Sequence, residues 1–350
     1  MSFSPDYTNL QLAARNIAAP RLPLYEHIIS DGKMEEITGK SFRNLLWGNH
    51  ADKVEYFRHF CGFWADMGYD TVSFEGCVAS VMPDNGCLGS HAESKIKCRE
   101  DFEKYPWAEI PDIYFERFDP LFTALREALP PGMKAVGGVG NGVFECVQDI
   151  IGYMNLCFFA ADDPELYADF FKYVGNLIHT IWERFLPLYG DIFAVMRMGD
   201  DLGFKNNTLL PADDIRKYIV PEYAKFADCA HRHNKPFLLH SCGAIFDVMP
   251  DMINVAKIDA KHSNEDQIAP FPEWAERYGD KIGNFGGIDT DAVCRLSPPE
   301  MREYIHDVLK RCEGKGGIAF GSGNSIPDYV PADNFIEMVN IVRRYRGEAV

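Results

Sequence analysis

The sequence contains little that would direct it to a membrane, to nucleic acid or into a disulfide scaffold. No apolar run reaches the roughly 18 residues that indicate a membrane-spanning helix. The N-terminal segment lacks the basic-then-apolar order of a signal peptide, so we expect a cytoplasmic protein. Ten cysteines in 350 residues, with no CxxC pair, are too sparse for a disulfide scaffold and predict reduced thiols. The net charge of -17 opposes binding to nucleic acid or anionic lipid.

What the sequence does contain is an alternation of short apolar runs with longer amphipathic stretches, which is typical of α/β proteins. Eight runs are predicted strands: Leu22–Tyr25, Thr71–Phe74, Lys134–Gly138, Ile192–Arg197, Pro236–His240, Ala256–Asp259, Ile282–Phe285 and Gly317–Phe320. Apolar residues make up 47% of the chain, enough for a large core. No linker marks a second domain. We therefore predict a single domain over residues 1–350, a (β/α)8 TIM barrel with an N-terminal helical extension.

The predicted strands end in polar residues, and in such a barrel the catalytic groups come from the carboxyl ends of the strands. In the clearest case, His240 and Cys242 lie two residues apart on an extended segment and therefore point the same way. Imidazole and thiolate suit zinc, whose catalytic sites usually have a third protein ligand. The candidates for that third ligand are Glu75, Asp201, His262 and Ser322. The alternative is structural, with His240 donating a hydrogen bond and Cys242 packed as a small residue.

Carboxylates at the strand ends are candidates for acid–base chemistry. Asp200 and Asp201 follow the fourth predicted strand, and adjacent side chains there diverge. At most one of the two is expected to face the site, while the other caps a loop or helix. Glu75 closes an otherwise uncharged strand, where a half-buried carboxylate with a raised pKa would suit proton transfer. The alternative for Glu75 is a salt bridge to a neighbouring strand.

Four strand-end segments, in this order, resemble the uroporphyrinogen decarboxylase superfamily, whose members are (β/α)8 barrels. They are GDDLGF at Gly199–Phe204, KPFLLHSCG at Lys235–Gly243, GGIDT at Gly286–Thr290 and GSGNSIPDYVP at Gly321–Pro331. Each motif is weak alone, and together they are quite specific. The resemblance extends from about Pro20 to Tyr345.

Two chemistries occur in that superfamily. The true decarboxylases carry an arginine-rich segment that holds the porphyrinogen carboxylates, whereas the matching stretch here, Leu22–Lys33, has no arginine. Their catalytic aspartate and final-strand histidine match Glu75 and Ser322, so the resemblance disfavours porphyrinogen decarboxylation. The zinc-dependent methyltransferases that act with a corrinoid protein bear a His-x-Cys, which His240 and Cys242 match. Where the coenzyme M branch adds a later cysteine ligand, this chain has Ser322.

The resemblance therefore implies methyl transfer between a small substrate and a corrinoid on a partner protein, with zinc or a protonated Glu75 acting on the substrate heteroatom. It also implies a homodimer. The implied roles are metal ligation by His240 and Cys242, catalysis by Glu75, Asp201 and His262, and substrate binding by Asn141, Asp200, Asp289, Ser322 and Asn324.

Two alternative functions stay open. One is a metal-free lyase or decarboxylase in which Glu75 and Asp201 move protons on a carboxylated substrate. The other is a non-catalytic binding protein, which the desolvation cost of so many polar groups disfavours.

Overall fold

Seven parallel strands form one sheet in chain order in a computed structural model that describes residues 3–89 and 92–350. The strands are β1 (Thr71–Cys77), β2 (Lys134–Gly140), β3 (Phe193–Gly199), β4 (Phe237–His240), β5 (Ala260–His262), β6 (Gly283–Ile288) and β7 (Ile318–Ser322). Most of their residues are buried, as expected for parallel strands that are covered on both faces. The α/β class predicted from the alternation is confirmed.

Helices connect the strands and cover the outer face of the sheet. They are α1 (Thr8–Ala14), α2 (Asp31–Thr38), α3 (His50–Asp66), α4 (Arg99–Lys104), α5 (Ile110–Ala128), α6 (Val143–Ile151), α7 (Tyr153–Asp162), α8 (Pro164–Tyr189), α9 (Ala212–Asp214), α10 (Val220–Arg232), α11 (Met249–Asn254), α12 (Phe271–Tyr278), α13 (Thr290–Arg295), α14 (Pro298–Cys312) and α15 (Ala332–Tyr345). Several begin where proline follows a capping residue. In α14, for example, Ser297 and Glu300 form a capping box around Pro298, which needs no hydrogen-bond donor in the first turn.

Two of the eight predicted strands differ in the structure. Residues Leu22–Tyr25 form only an isolated parallel bridge to β7, with the Tyr25 N–H donating to the Phe320 carbonyl at 2.8 Å. Pro23 has no N–H to extend this ladder, so the described sheet stays open with seven strands instead of closing with eight. The strand predicted at Ala256–Asp259 is displaced: β5 begins at Ala260, because Lys257 has a φ of 62°, which no extended strand accommodates.

The sheet is nevertheless curled. The short helix α1 packs against β3 and also against the neighbouring strands β6 and β7. Two strands separate β3 from β6 in the sheet, so one short helix can meet all three only if the sheet bends round. Leu10 and Ala13 of α1 lie in one buried cluster with Val136, Leu238 and Phe285 from the inner face of the sheet. The predicted N-terminal helical extension is therefore present and covers the amino end of the strands. Polar groups gather at the opposite, carboxyl end.

Among the described ranges, no single helix has the length and apolar composition to cross a membrane. One pair, α6 and α7, meets the composition only when the two helices are taken together across a bend of 94°.

Candidate functional site

Three donor groups converge where β3 and β4 end. The Cys242 Sγ lies 3.5 Å from the His240 Nε2, and that nitrogen lies 3.7 Å from the Asp201 Oδ1. The same Asp201 oxygen accepts a hydrogen bond from the Cys242 N–H at 2.9 Å. The register explains the meeting, because Gly199 pairs with His240 and thus brings the residues after β3 beside those after β4. A carboxylate oxygen, an imidazole nitrogen and a sulfur thus lie within 4.8 Å of one another.

His262 determines which nitrogen of His240 is free. The His262 Nε2 lies 3.1 Å from the Ser322 carbonyl oxygen, which can only accept, so Nε2 carries the proton. Burial lowers the pKa of His262 to about 3, so the ring is neutral and its Nδ1 is an acceptor. The His240 Nδ1, 2.7 Å away, must donate to it. The His240 Nε2 is therefore left with a lone pair that faces Cys242 and Asp201.

His27 was not predicted from the sequence, although it follows the first predicted strand. Its ring stacks on that of His240, with centroids 3.7 Å apart and planes at 13°. Burial, reinforced by the charge of Arg197, lowers the pKa of His27 well below its ordinary value. Its Nδ1 has no hydrogen-bond partner among the described residues. With His240 and His262 it forms a second group of possible ligands that overlaps the first.

The environment of the Cys242 sulfur is polar but buried. The Asn324 Nδ2 donates to the sulfur at 3.4 Å, and the Ser263 Oγ donates to it at 3.5 Å. Burial, followed by the negative charge of Asp201, raises the pKa of the Cys242 thiol well above its ordinary value. Without a cation close to the sulfur, Cys242 therefore stays protonated at neutral pH. Asn324, predicted to bind substrate, lies beside this sulfur.

The two adjacent aspartates have different positions, as expected from the sequence. Asp200 is buried, and its carboxylate accepts hydrogen bonds from the Phe144 and Glu145 N–H groups at 2.9 and 2.8 Å and from the Tyr223 hydroxyl. It thus satisfies backbone donors in the first turn of α6, as a helix cap does, and its role in substrate binding stays a prediction. Asp201 is the member of the pair that faces His240 and Cys242, and 43% of its side chain is exposed.

Glu75 forms the predicted alternative, a salt bridge. Its Oε2 lies 2.7 Å from the Arg197 Nη2 of β3, and the guanidinium is almost fully buried. Arg197 also donates to the Tyr25 hydroxyl at 3.1 Å and to the His27 carbonyl at 2.9 Å. Glu75 is therefore an ion-pair partner through Oε2 that ties β1 to β3, and its role in proton transfer stays a prediction. Arg197 lies in a predicted strand but was not singled out.

Three predicted substrate-binding residues make bonds within the protein. Asp289 caps α13 and accepts from the Asp291 N–H at 2.7 Å, although it also borders a cavity. The Asn141 amide donates to Glu145 at 2.9 Å and accepts from a backbone N–H at 3.3 Å. The buried Ser322 hydroxyl donates to Glu26, and its role in substrate binding stays a prediction.

Glu26 is a further residue that the sequence interpretation missed. It is fully buried and also accepts from the Ser322 N–H at 2.9 Å and the Tyr69 hydroxyl at 3.4 Å. Burial raises its pKa to about 8, against the lowering effect of these hydrogen bonds. Glu26 and His27 are polar residues directly after the first predicted strand, which ends at Tyr25. His240 was predicted as a site residue from the same kind of position, at the end of a predicted strand.

Known proteins resemble the chain in fold, and one family matches its sequence. The chain is similar in structure to a methyltransferase from Methanosarcina mazei, with a TM-score of 0.69 at 14% identity over 98% of this chain and 99% of that one. A putative vitamin-B12 independent methionine synthase from Listeria monocytogenes is matched at 11% identity, over 94% of this chain and 100% of that one, with a TM-score of 0.49. No curated protein matches the chain. The uroporphyrinogen decarboxylase (URO-D) family profile matches residues 76–345. The chain therefore belongs to the uroporphyrinogen decarboxylase family.

Proposed function

We propose that this protein is a zinc-dependent methyltransferase that moves a methyl group between a small substrate and a corrinoid on a separate protein. The observation that carries the proposal is the convergence of Asp201, His240 and Cys242, with the His240 Nε2 left free. Catalytic zinc sites have this kind of composition, three protein ligands and an open position for substrate. The name of the Methanosarcina mazei methyltransferase, which shares the fold, supports the reaction class.

The spacing of the donors fits zinc. Zinc–ligand distances of about 2.0–2.3 Å at a tetrahedral angle put sulfur and nitrogen ligands about 3.6 Å apart, and nitrogen and oxygen ligands about 3.4 Å apart. The corresponding separations are 3.5 Å between Cys242 and His240 and 3.7 Å between His240 and Asp201. The third ligand in this proposal is Asp201, one of the four candidates, while Ser322 is bonded to Glu26 and Glu75 to Arg197.

The residues around the donors would set their protonation and direction. Bound zinc supplies a Lewis acid that activates the substrate heteroatom, either as a nucleophile or as a leaving group. His262 holds the His240 proton on Nδ1 so that Nε2 can act as a ligand. The Asn324 amide and Ser263 hydroxyl donate to the Cys242 sulfur, which stabilises its charged form.

The metal-free alternative has less support. It gives Glu75 and Asp201 the task of moving protons on a carboxylated substrate, yet the Glu75 carboxylate is paired with Arg197 at 2.7 Å. Arg197 in turn is buried among protein groups, so it offers no free guanidinium to a substrate carboxylate. We therefore prefer the metal-dependent reaction.

Zinc content tests this proposal. We expect the purified protein to hold about one zinc per chain, and His240→Ala and Cys242→Ala each to lose most of it, since either change leaves two of three ligands. Inductively coupled plasma mass spectrometry of dialysed samples measures the ratio.

Matched substitutions away from the site control for handling and folding. Cys98 and His306 are exposed, and Cys98→Ala and His306→Ala are expected to keep the wild-type zinc content. Equal zinc in the wild type and in both site variants would remove His240 and Cys242 as ligands, and a wild type without zinc would end the proposal.

The orienting role of His262 gives a second test. His262→Leu removes the acceptor of the His240 Nδ1 proton, and we expect zinc affinity to fall by about 10–100-fold. His262→Asn places an amide oxygen near the position of Nδ1 and is expected to restore most of the affinity. Competition with a chromophoric chelator measures both dissociation constants. Equal affinities for the two variants would show that His262 only fills space.

A further inference from the structure

A polar cavity lies at the carboxyl ends of β5, β6 and β7, close to the cluster of Asp201, His240 and Cys242. It has a volume of about 570 Å³, within the range of small-molecule sites, and its lining includes Asn264, Asp289, Thr290 and Asn324. Asn324 links the two places, because its Nδ2 donates to the Cys242 sulfur at 3.4 Å. The Asn324 side chain therefore stands between a ligand in this cavity and the sulfur.

The cavity has an unpartnered buried donor. Asn264 is only 4% exposed, and its Oδ1 accepts from the Gly287 N–H at 2.9 Å. Its Nδ2 has no acceptor among the described residues. A Cβ at Gly323 would lie 2.2 Å from the Asn264 carbonyl oxygen and 3.1 Å from this nitrogen, so only glycine fits against this side of Asn264. A buried donor without a partner costs free energy that a ligand oxygen would recover.

The charged groups of the cavity favour a cation. Its lining has three carboxylates, those of Glu265, Asp289 and Asp291, and one ammonium, that of Lys205. Lys205 is paired with Glu265, and Asp291 with Arg295. The third carboxylate, Asp289, is bound by backbone N–H groups and has no ion pair with a side chain in the described ranges. One uncompensated negative charge therefore faces the cavity.

An exposed aromatic ring adds to this preference. Tyr329 borders the cavity and is 74% exposed, so its ring is available to a ligand. The face of an aromatic ring attracts cations, and the net charge of -17 raises their concentration near the surface. An anionic ligand would instead be repelled by the Asp289 carboxylate and by the face of the Tyr329 ring.

We propose that this cavity binds a small organic cation that also carries a hydrogen-bond acceptor, with the positive group near Asp289 and the acceptor at the Asn264 Nδ2. The assignment of this cation as the methyl-group substrate rests on the proposed function. The binding itself does not, since it uses none of the candidate zinc ligands.

Choline and its neutral isostere test the proposal. In 3,3-dimethylbutan-1-ol a carbon replaces the nitrogen of choline, so the two probes share shape and hydroxyl and differ in charge. We expect saturable binding of choline in isothermal titration calorimetry, at least about tenfold tighter than binding of the isostere. Equal affinities, or no binding of choline, would overturn the proposal.

Asp289→Asn removes the negative charge, and its side-chain oxygen can still accept the two N–H bonds of the α13 cap. The third bond, from the Asp266 N–H, is lost, so the thermal stability of this variant is compared with that of the wild type before binding is measured. We expect choline affinity to fall by about tenfold or more and the affinity of the isostere to stay constant. Asp291→Asn, which removes a carboxylate already paired with Arg295, is the matched control and is expected to have a smaller effect. An unchanged choline affinity in Asp289→Asn would overturn the assignment.

Ionic strength gives a measurement that needs no variant. Choline binding by the wild type should weaken with added salt, while binding of the isostere should not. Salt-independent choline binding would contradict the proposed cation site.

Zinc content separates this proposal from the proposed function. If the protein prefers choline but holds no zinc, the cavity proposal stands and the zinc-dependent function fails. If the protein holds zinc but does not prefer choline, only the cavity proposal fails.

Discussion

Replacing Arg197 with alanine is expected to lower the free energy of unfolding by about 3–5 kcal/mol, because removing one partner of a buried ion pair leaves the other without compensation. The Arg197 guanidinium is fully buried and bonds Glu75 at 2.7 Å. It also donates to Tyr25, to the His27 carbonyl at 2.9 Å and to the Ser73 hydroxyl at 3.1 Å. These groups come from β1 and from the segment beside β7, so one side chain connects the two edges of the open sheet through its interior. Urea unfolding measures the loss.

An exposed arginine provides the control. Arg58 lies 3.0 Å from Glu55 on α3, with 61% and 46% of the two side chains exposed. Such a pair contributes only about 0–1 kcal/mol, so Arg58→Ala should unfold almost as the wild type does. A similar loss in both variants would mean that the Arg197 network does not hold the sheet edges together.

The position of Arg197 shows what the sequence can and cannot predict. Alternating apolar runs locate most strands, because burial on both faces of a parallel sheet leaves a local pattern. The failures have local causes that hydropathy does not register, namely the missing N–H of Pro23 and the positive φ of Lys257. Arg197 reaches from β3 to Tyr25, a contact between segments more than 170 residues apart that no local pattern contains.

For the candidate site, too, local sequence patterns predict some contacts and not others. The two-residue period of an extended segment predicted that His240 and Cys242 would lie together, and their separation of 3.5 Å agrees with it. Which of Asp200 and Asp201 would face the site depends on where α6 begins, since its free N–H groups attract Asp200. Partners from distant segments also fix the positions of Glu75 and Ser322, and spacing along the chain does not reveal these partners.

Replacing Glu26 with glutamine is expected to remove part of the pH dependence of stability. Burial raises the pKa of Glu26 to about 8, from an ordinary value of 4.5. Below about pH 4.5 both the folded and the unfolded state hold the proton. Between that pH and about 8 only the folded state holds it, so the stability of the wild type falls as pH rises. Glutamine stays neutral at every pH, so the stability of Glu26→Gln does not fall for this reason as pH rises. From pH 5 to 8 the stability of Glu26→Gln relative to the wild type should rise by about 3.5 kcal/mol.

Urea unfolding at pH 5, 6, 7 and 8 measures this difference, and titrations common to both proteins cancel in it. The hydrogen bonds to Glu26 can survive the change, because a glutamine oxygen still accepts the Ser322 N–H at about the same place. Glu303 is exposed on α14, and Glu303→Gln should keep a constant difference from the wild type across the range. A constant difference for Glu26→Gln as well would mean that the wild-type carboxyl is already ionised at pH 5. The bonds from Ser322 and Tyr69 would then outweigh the desolvation of Glu26.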